Sequence, residues 1–267
     1  MTRIARRFSE LRANGEGALI PFIVAGDPDT ERSLRVTAAL ARAGADVIEL
    51  GVPFSDPLAD GPVNQAAYDR ALRAGASVDG VLELVKRFRD GSETPVVLMT
   101  YANPIAQYGW ERFASAAAAA GVDGVLLTDL PPEEAETWLP HARAAGLDTI
   151  FLLAPTSPDS RIASVAEMAT GYVYCVSRLG VTGARDRLPP DARVLVTRVR
   201  GVGLRALPVV VGFGLSQPEQ VREVCEFSDG AVVGSALVSL IAKHAADTDL
   251  ERAVEGFLGT LKQATRR

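Results

Sequence analysis

Side chains that carry covalent or metal chemistry are scarce in this chain. It has 28 lysines and arginines, but only Lys86, Lys243 and Lys262 are lysines, and all three fall in helical patterns away from any strand end. A Schiff-base enzyme needs a lysine inside its pocket, so that chemistry is argued against. The only histidines, His141 and His244, also lie in helical stretches, which disfavours a histidine-ligated metal centre or a Ser–His nucleophile pair. No metal site is expected. Cys175 and Cys225 sit in apolar or helical patterns and read as buried free thiols of a reducing cytoplasm. No apolar run approaches the ~20 residues of a membrane span. The N-terminal "MTRIARRFSELRANG" has no apolar signal core. The net charge of −5 points to neither nucleic acid nor an anionic membrane as partner. There is no P-loop; "GFGLSQ" lacks the third glycine of a dinucleotide fingerprint, and "GVGLRA" does not follow a strand. The chemistry that survives these absences is cofactor-free acid–base work by carboxylates, in the cytoplasm.

What is present is a regular alternation. The runs "ALIPFIVAG", "DVIELG", "PVVLMTY", "VDGVLLTD", "DTIFLLAP", "GYVYCVS", "PVVVGFG" and "GAVVGSA" read as eight strands. Most are near-continuous aliphatic residues, as parallel strands covered by helices require. Helical patterns separate them. "DTERSLRVTAALARAG" has an acidic start and a glycine stop, "PPEEAETWLPHARAAG" opens on prolines and acids, and Ser216 stands as a cap before "QPEQVREVCEF". Eight such units predict an α/β fold, a single (β/α)₈ TIM barrel spanning 1-267 as one catalytic domain. Ile4, Phe8 and Leu11 recur at helical spacing, so the Arg-rich start is read as an N-terminal capping helix rather than a transit peptide. A doubly wound open sheet is the competing architecture, but the first turn, "VAGDPDTE", lacks its glycine pattern.

In a barrel, active groups collect at the C-terminal strand ends and the loops that follow. "VIELGVPFSDPLADGP" carries three acids there and no cation: Glu49, Asp60 and, between them, Asp56, which has a plain reading as a turn former beside Pro57. Val47 and Glu49 share one side of the second strand, and Ile48 and Leu50 the other. With the aliphatic pair toward the helices, Glu49 points into the mouth, where burial raises a carboxyl pKa toward neutrality. The plain alternative is a buried glutamate paired with an arginine from another strand. Asp60 lies in the following loop, and its plain alternative is a helix N-cap. The last three turns, "SRLGVTGA", "GFGLSQ" and "GSALV", are rich in glycine, which lets backbone N–H groups approach an anion. Together they predict a phosphate site. The segment from Leu179 to Pro208, rich in Gly, Pro and Arg, is expected to be a lid. Apolar residues on the mouth loops (Pro53, Phe54, Pro57, Leu58, Pro104, Ile105, Tyr108 and Pro132) offer a partner surface, or pack on one another.

The motifs "PFIVAGDPD", "IELGVPFSDPLADGP", "MTYANPI", "TDLPPEE", "LLAPTSPDSRI", "SRLGVTG", "VGFGLS" and "VVGSALV" resemble the tryptophan synthase α subunit family over almost the whole chain. The resemblance implies a lyase that cleaves indole-3-glycerol phosphate to indole and glyceraldehyde 3-phosphate without a cofactor of its own. It places the catalytic acids on Glu49 and Asp60, with support from Tyr174 and from Thr182 on a closing loop. It implies phosphate on Gly183, Gly214, Gly234 and Ser235, and an indole pocket among Phe22, Met99, Leu126 and Phe213. It also implies a β subunit that holds pyridoxal phosphate and consumes indole within an α₂β₂ heterotetramer, loop ordering in the complex raising α activity. A related phosphate-binding barrel enzyme is one rival; a synthase of indole-3-glycerol phosphate would favour a strand-end lysine as general acid, and there is none. A non-catalytic barrel acting as an allosteric partner is the other, and such a chain would be free to lose one of the acids that this one keeps.

Overall fold

The computed structural model describes residues 1–176, 191–202, 207–212 and 214–266. Its strands are β1 (Ala18–Val24), β2 (Ile48–Gly51), β3 (Val96–Thr100), β4 (Gly124–Leu127), β5 (Asp148–Leu153), β6 (Val173–Val176), β7 (Val209–Gly212) and β8 (Gly230–Val233). All are parallel and close in chain order, with Ala18–Pro21 of β1 in register with Gly230–Val233 of β8. Closure settles the barrel against the open sheet. The helices are α1 (Arg3–Ala13), α2 (Thr30–Arg42), α3 (Pro62–Arg73), α4 (Val78–Arg89), α5 (Ala102–Tyr108) and α6 (Trp110–Ala120) in the first half. The second half holds α7 (Leu139–Ala145), α8 (Asp159–Met168), α9 (Asp191–Gly201), α10 (Pro218–Phe227), α11 (Ser235–Lys243) and α12 (Leu250–Gln263). No described helix is long and apolar enough to cross a membrane.

The strand alternation sorts side chains into two cores. Ile48 and Leu50 face outward and pack with Val36, Leu40, Val81 and Val85 of the surrounding helices. Val47 faces inward with Ile20, Val97, Leu126, Ile150, Val210 and Val232. Ile4, Phe8 and Leu11 of α1 join that inner cluster, so the first helix plugs the N-terminal end of the barrel as its spacing predicts. Thr2 caps α1 through its hydroxyl, which accepts from the Ala5 N–H at 3.2 Å.

Two buried acids at that plugged end, Asp46 and Asp123, are paired with cations, while a third, Asp148 at the start of β5, keeps one oxygen without a partner among the described residues. Asp46, fully buried just before β2, accepts from Arg7 Nη2 at 2.7 Å, Lys262 Nζ at 2.8 Å and the Leu19 N–H at 2.6 Å. One carboxylate thus ties α1, α12 and β1 together. Asp123 does the same before β4, accepting from Arg89 Nη2 at 2.6 Å, Arg3 Nη1 at 3.2 Å and the Val96 N–H at 2.8 Å.

Three local expectations change. "PPEEAETWLPHARAAG" is not one helix: a 3₁₀ turn, Pro132–Thr137, precedes α7, and Gly146 ends it at φ +72°. The start of α10 is capped at Gln217 rather than Ser216, because the Gln220 side chain reaches back and accepts from both backbone N–H groups at 2.9 and 3.1 Å. The segment read as a lid contains α9, whose Ala192, Leu195, Val196 and Val199 bury one face against the barrel. Residues 179–190 and 203–206 of that segment lie outside the described residues. Cys175 and Cys225 are buried, and neither forms a disulfide.

Asp46→Ala strands two cations at the barrel floor. Both retain some contact with water, so the loss should be about 3 kcal/mol, the low end for breaking a buried ion pair. Urea unfolding monitored by circular dichroism measures it, and an unchanged midpoint would show that Asp46 ties nothing together.

Candidate active site

At the opposite end Asp27 is paired too, accepting from Arg70 Nε and Nη2 at 2.8 Å each, but Glu49 and Asp60 have no cation partner among the described residues. Glu49 lies on β2 between Phe22 of β1 and Val97 of β3, on the inward side with Val47. It is fully buried. Its Oε1 accepts from the Tyr172 hydroxyl at 2.6 Å, while its Oε2 has no partner among the described residues. The paired-arginine alternative is not realised among the described residues. Burial pushes the carboxyl pKa up to about 7, and the Tyr172 hydrogen bond pulls weakly the other way. Tyr172 is itself fixed from below, its ring 5.9 Å from that of Phe8 in the plug helix. A stack of Phe8, Tyr172 and Glu49 therefore links the floor of the barrel to its mouth.

Asp60 ends the loop that follows β2. Its N–H donates to Pro57 O at 3.0 Å in a tight turn, which folds the acid back over the mouth. The N-cap of α3 is Gly61, so Asp60 is not the cap that its local sequence allowed. Its side chain, 5% exposed, faces the interior. Oδ2 accepts from the Tyr101 hydroxyl at 2.6 Å and Oδ1 from Asn64 Nδ2 at 3.0 Å. Burial raises the Asp60 pKa, and the two hydrogen bonds oppose it by favouring the ionised form. Tyr101 is locked in turn, its oxygen accepting from the Ala59 N–H at 3.1 Å.

The other expected residues take these places. Tyr174 lies two residues beyond Tyr172, and its hydroxyl fills the space over Gly212, where an added Cβ would come within 2.0 Å of it. Phe22 is buried at the mouth beside Tyr68, and half-buried Met99 touches both the Phe22 cluster and the inner core. Leu126 is deeper, within the inner cluster. Gly214 follows β7 at φ +56°, a conformation that favours glycine. Gly234 is the N-cap of α11 and Ser235 its first residue; no side chain caps this helix, and Ser235 Oγ is buried without a partner among the described residues. Thr182, Gly183 and Phe213 lie outside the described residues.

Sequence reading missed Tyr172, Tyr101 and Asn64. A usable signal was present. Two buried acids in a region without lysine, arginine or histidine must be met by hydroxyls or amides. Tyr172 is one alternation before Tyr174, and Tyr101 stands at the end of β3.

The apolar mouth residues divide. Pro53, Ile105 and Pro132 are buried in the fold, and the Phe54 ring packs 5.2 Å from that of Tyr101. Leu58 remains 87% exposed. It borders an open groove of about 500 Å³ between the 54–58 loop and the outer side of α3, formed by Gln65, Asp69 and Leu72.

Chemically, the mouth holds one carboxyl group able to exchange a proton near neutrality, a second held as an acceptor, and an uncapped helix end at β8 suited to an anion.

The family model for tryptophan synthase alpha chain matches residues 8–266. The tryptophan synthase alpha chain of Citrifermentans bemidjiense is 53% identical over 263 residues, covering 98% of this chain and 97% of that one. That of Burkholderia multivorans is 51% identical over 266 residues, covering 99% and 97%. Among solved structures, tryptophan synthase subunit alpha from Legionella pneumophila superposes with a TM-score of 0.91 at 40% identity, covering 99% of this chain and 98% of that one. A chain of Mycobacterium tuberculosis tryptophan synthase gives 0.92 at 38% identity, covering 100% and 99%.

Folding raises the Glu49 pKa from 4.5 to about 7, so the folded protein holds this proton more tightly than the unfolded chain does. Stability therefore falls as pH rises through that interval and stays lower above it. Glu49→Gln cannot ionise and escapes the loss. Urea titrations should show the variant gaining on the parent from about pH 5 to about pH 8, by up to ~1.4 kcal/mol for each pH step of one crossed between the two pKa values. A difference independent of pH would contradict the buried-acid reading.

Proposed function

The chain belongs to the tryptophan synthase alpha chain family, and from that premise we propose that it cleaves indole-3-glycerol phosphate to indole and glyceraldehyde 3-phosphate, as a carbon–carbon lyase formed by one domain over residues 1-267. The observation that carries this reading is Glu49: a fully buried carboxyl group with one oxygen unpartnered among the described residues and a pKa of about 7.

The reaction is a retro-aldol cleavage. The ring carbon must gain a proton so that the electrons of the breaking bond can return to the ring, and the adjacent hydroxyl must lose one as the aldehyde forms. A group with a pKa near the working pH serves both directions, so Glu49 acts first as acid and then as base. Asp60, aimed by Tyr101 and Asn64, accepts a hydrogen bond from the indole N–H as positive charge develops there. Phe22, Met99, Leu126 and Phe213 enclose the ring, and Tyr174 and Thr182 support the acids. Phosphate rests on Gly183, Gly214, Gly234 and Ser235; the uncapped start of α11 and the unpartnered Ser235 hydroxyl support that placement. The chemistry asks for no cofactor in this chain. The cytoplasm is its setting.

Indole passes to a pyridoxal phosphate-dependent β subunit in an α₂β₂ heterotetramer. Exposed Leu58 and the groove beside it support a docking face at the mouth. The non-catalytic alternative has the retained, buried acid pair against it.

Indole release from indole-3-glycerol phosphate tests the reading. The parent should be active, and more so with β subunit added, with which it should co-elute. Glu49→Gln and Asp60→Asn should each lose ~10²–10⁴-fold in rate while still binding substrate. Turnover of either variant at the parent rate would contradict its assigned role.

A further inference from the structure

Helix α3 points a third polar group inward. Asp60, Asn64 and Tyr68 recur at intervals of four, one face of the helix and the turn before it. Tyr68 is 1% exposed, its ring packed with Phe22, Val24 and Val238, and its hydroxyl has no hydrogen-bond partner among the described residues. Leaving a buried hydroxyl unpaired destabilises the fold, a loss that phenylalanine would avoid while filling the same space.

The position of the hydroxyl is informative. A Cβ added to Gly51 would lie 2.9 Å from it and 2.9 Å from the tip of the Phe22 ring, so the hydroxyl stands over the space that Gly51 leaves open. Gly51 is the next inward position after Glu49 on β2, roughly 6.6 Å nearer the mouth. The second oxygen of Glu49 is also without a partner among the described residues. Asp60, by contrast, already has Tyr101 and Asn64 on its two oxygens. Burial first, then the charge of Asp60 and the neighbouring Tyr101 and Glu49, keep the Tyr68 phenol protonated and therefore a donor.

Resting on the function proposed above, we propose that Tyr68 is a catalytic residue whose hydroxyl donates a hydrogen bond to the substrate oxygen that gives its proton to Glu49. In that step the O–H proton moves to Glu49, the carbon–oxygen double bond forms, and the carbon–carbon bond breaks. Its electron pair returns to the ring, already protonated at carbon, and no further reactant is needed. The oxygen carries partial negative charge during the transfer, and a fixed donor in a water-poor hollow stabilises it.

Tyr68→Phe in the full chain, assayed with the β subunit present, is the test. kcat for indole release should fall roughly 10–100-fold with KM within about threefold of the parent. The urea midpoint should equal or exceed the parent's, because an unpaired hydroxyl has been removed. Calorimetry with 3-(indol-3-yl)propyl phosphate, which has no chain hydroxyl, should give parent-like affinity. A kcat within about twofold of the parent would overturn the proposal, as would analogue affinity lost in step with kcat, which would make Tyr68 a wall of the pocket. A parent chain that releases no indole would instead remove the function on which the proposal rests.

Discussion

A carboxyl group with no cation beside it among the described residues governs the mouth of this barrel. Glu49 is fully buried, and a single tyrosine hydroxyl is the partner the structure gives it. An arginine in that place would hold the acid ionised and make it inert as a proton donor. A fully apolar cage would hold it neutral and make it a poor base. One neutral hydrogen bond leaves the group between these limits, able to work in both directions of proton transfer.

Buried acids in this barrel are met in two ways. At the floor, Asp46 and Asp123 are met by Arg7, Lys262, Arg3 and Arg89, and these contacts bind α1, α4 and α12 to the strand starts. At the mouth, Glu49 and Asp60 are met by tyrosines and an amide. Among the described residues, polar atoms of Glu49, Tyr68 and Ser235 are left unpartnered where a substrate would meet them, whereas Asp27 at the same end is paired with Arg70. The ends are not independent, because Phe8 of the plug helix supports the ring whose hydroxyl orients Glu49.

Much of this was legible in the chain. Eight apolar runs between helical patterns gave the barrel, and the two-residue alternation in "VIEL" gave the inward direction of Glu49. Ile4, Phe8 and Leu11 gave the plug. What escaped were contacts across long separations. Tyr172 meets Glu49 across 123 residues, from the start of β6 to β2 across the closed barrel, and Tyr101 meets Asp60 across 41, through the pairing of β2 with β3. Helix α9 escaped because prolines and arginines at its start masked the apolar spacing of Leu195, Val196 and Val199. Of the apolar residues expected to form a mouth patch, Ile105 and Pro53 were claimed by the core, since a loop crossing a barrel mouth has a buried side as well as an exposed one.

The most direct test of the central claim is the titration of the Glu49 carboxyl itself. Carbon-13 NMR of selectively labelled glutamate, assigned by comparison with Glu49→Gln, reads its protonation without reference to turnover. A midpoint near 7 is what burial with one hydroxyl partner predicts. A midpoint in the ordinary range around 4.5 would mean that the acid is solvated or paired with a cation, and would contradict the account.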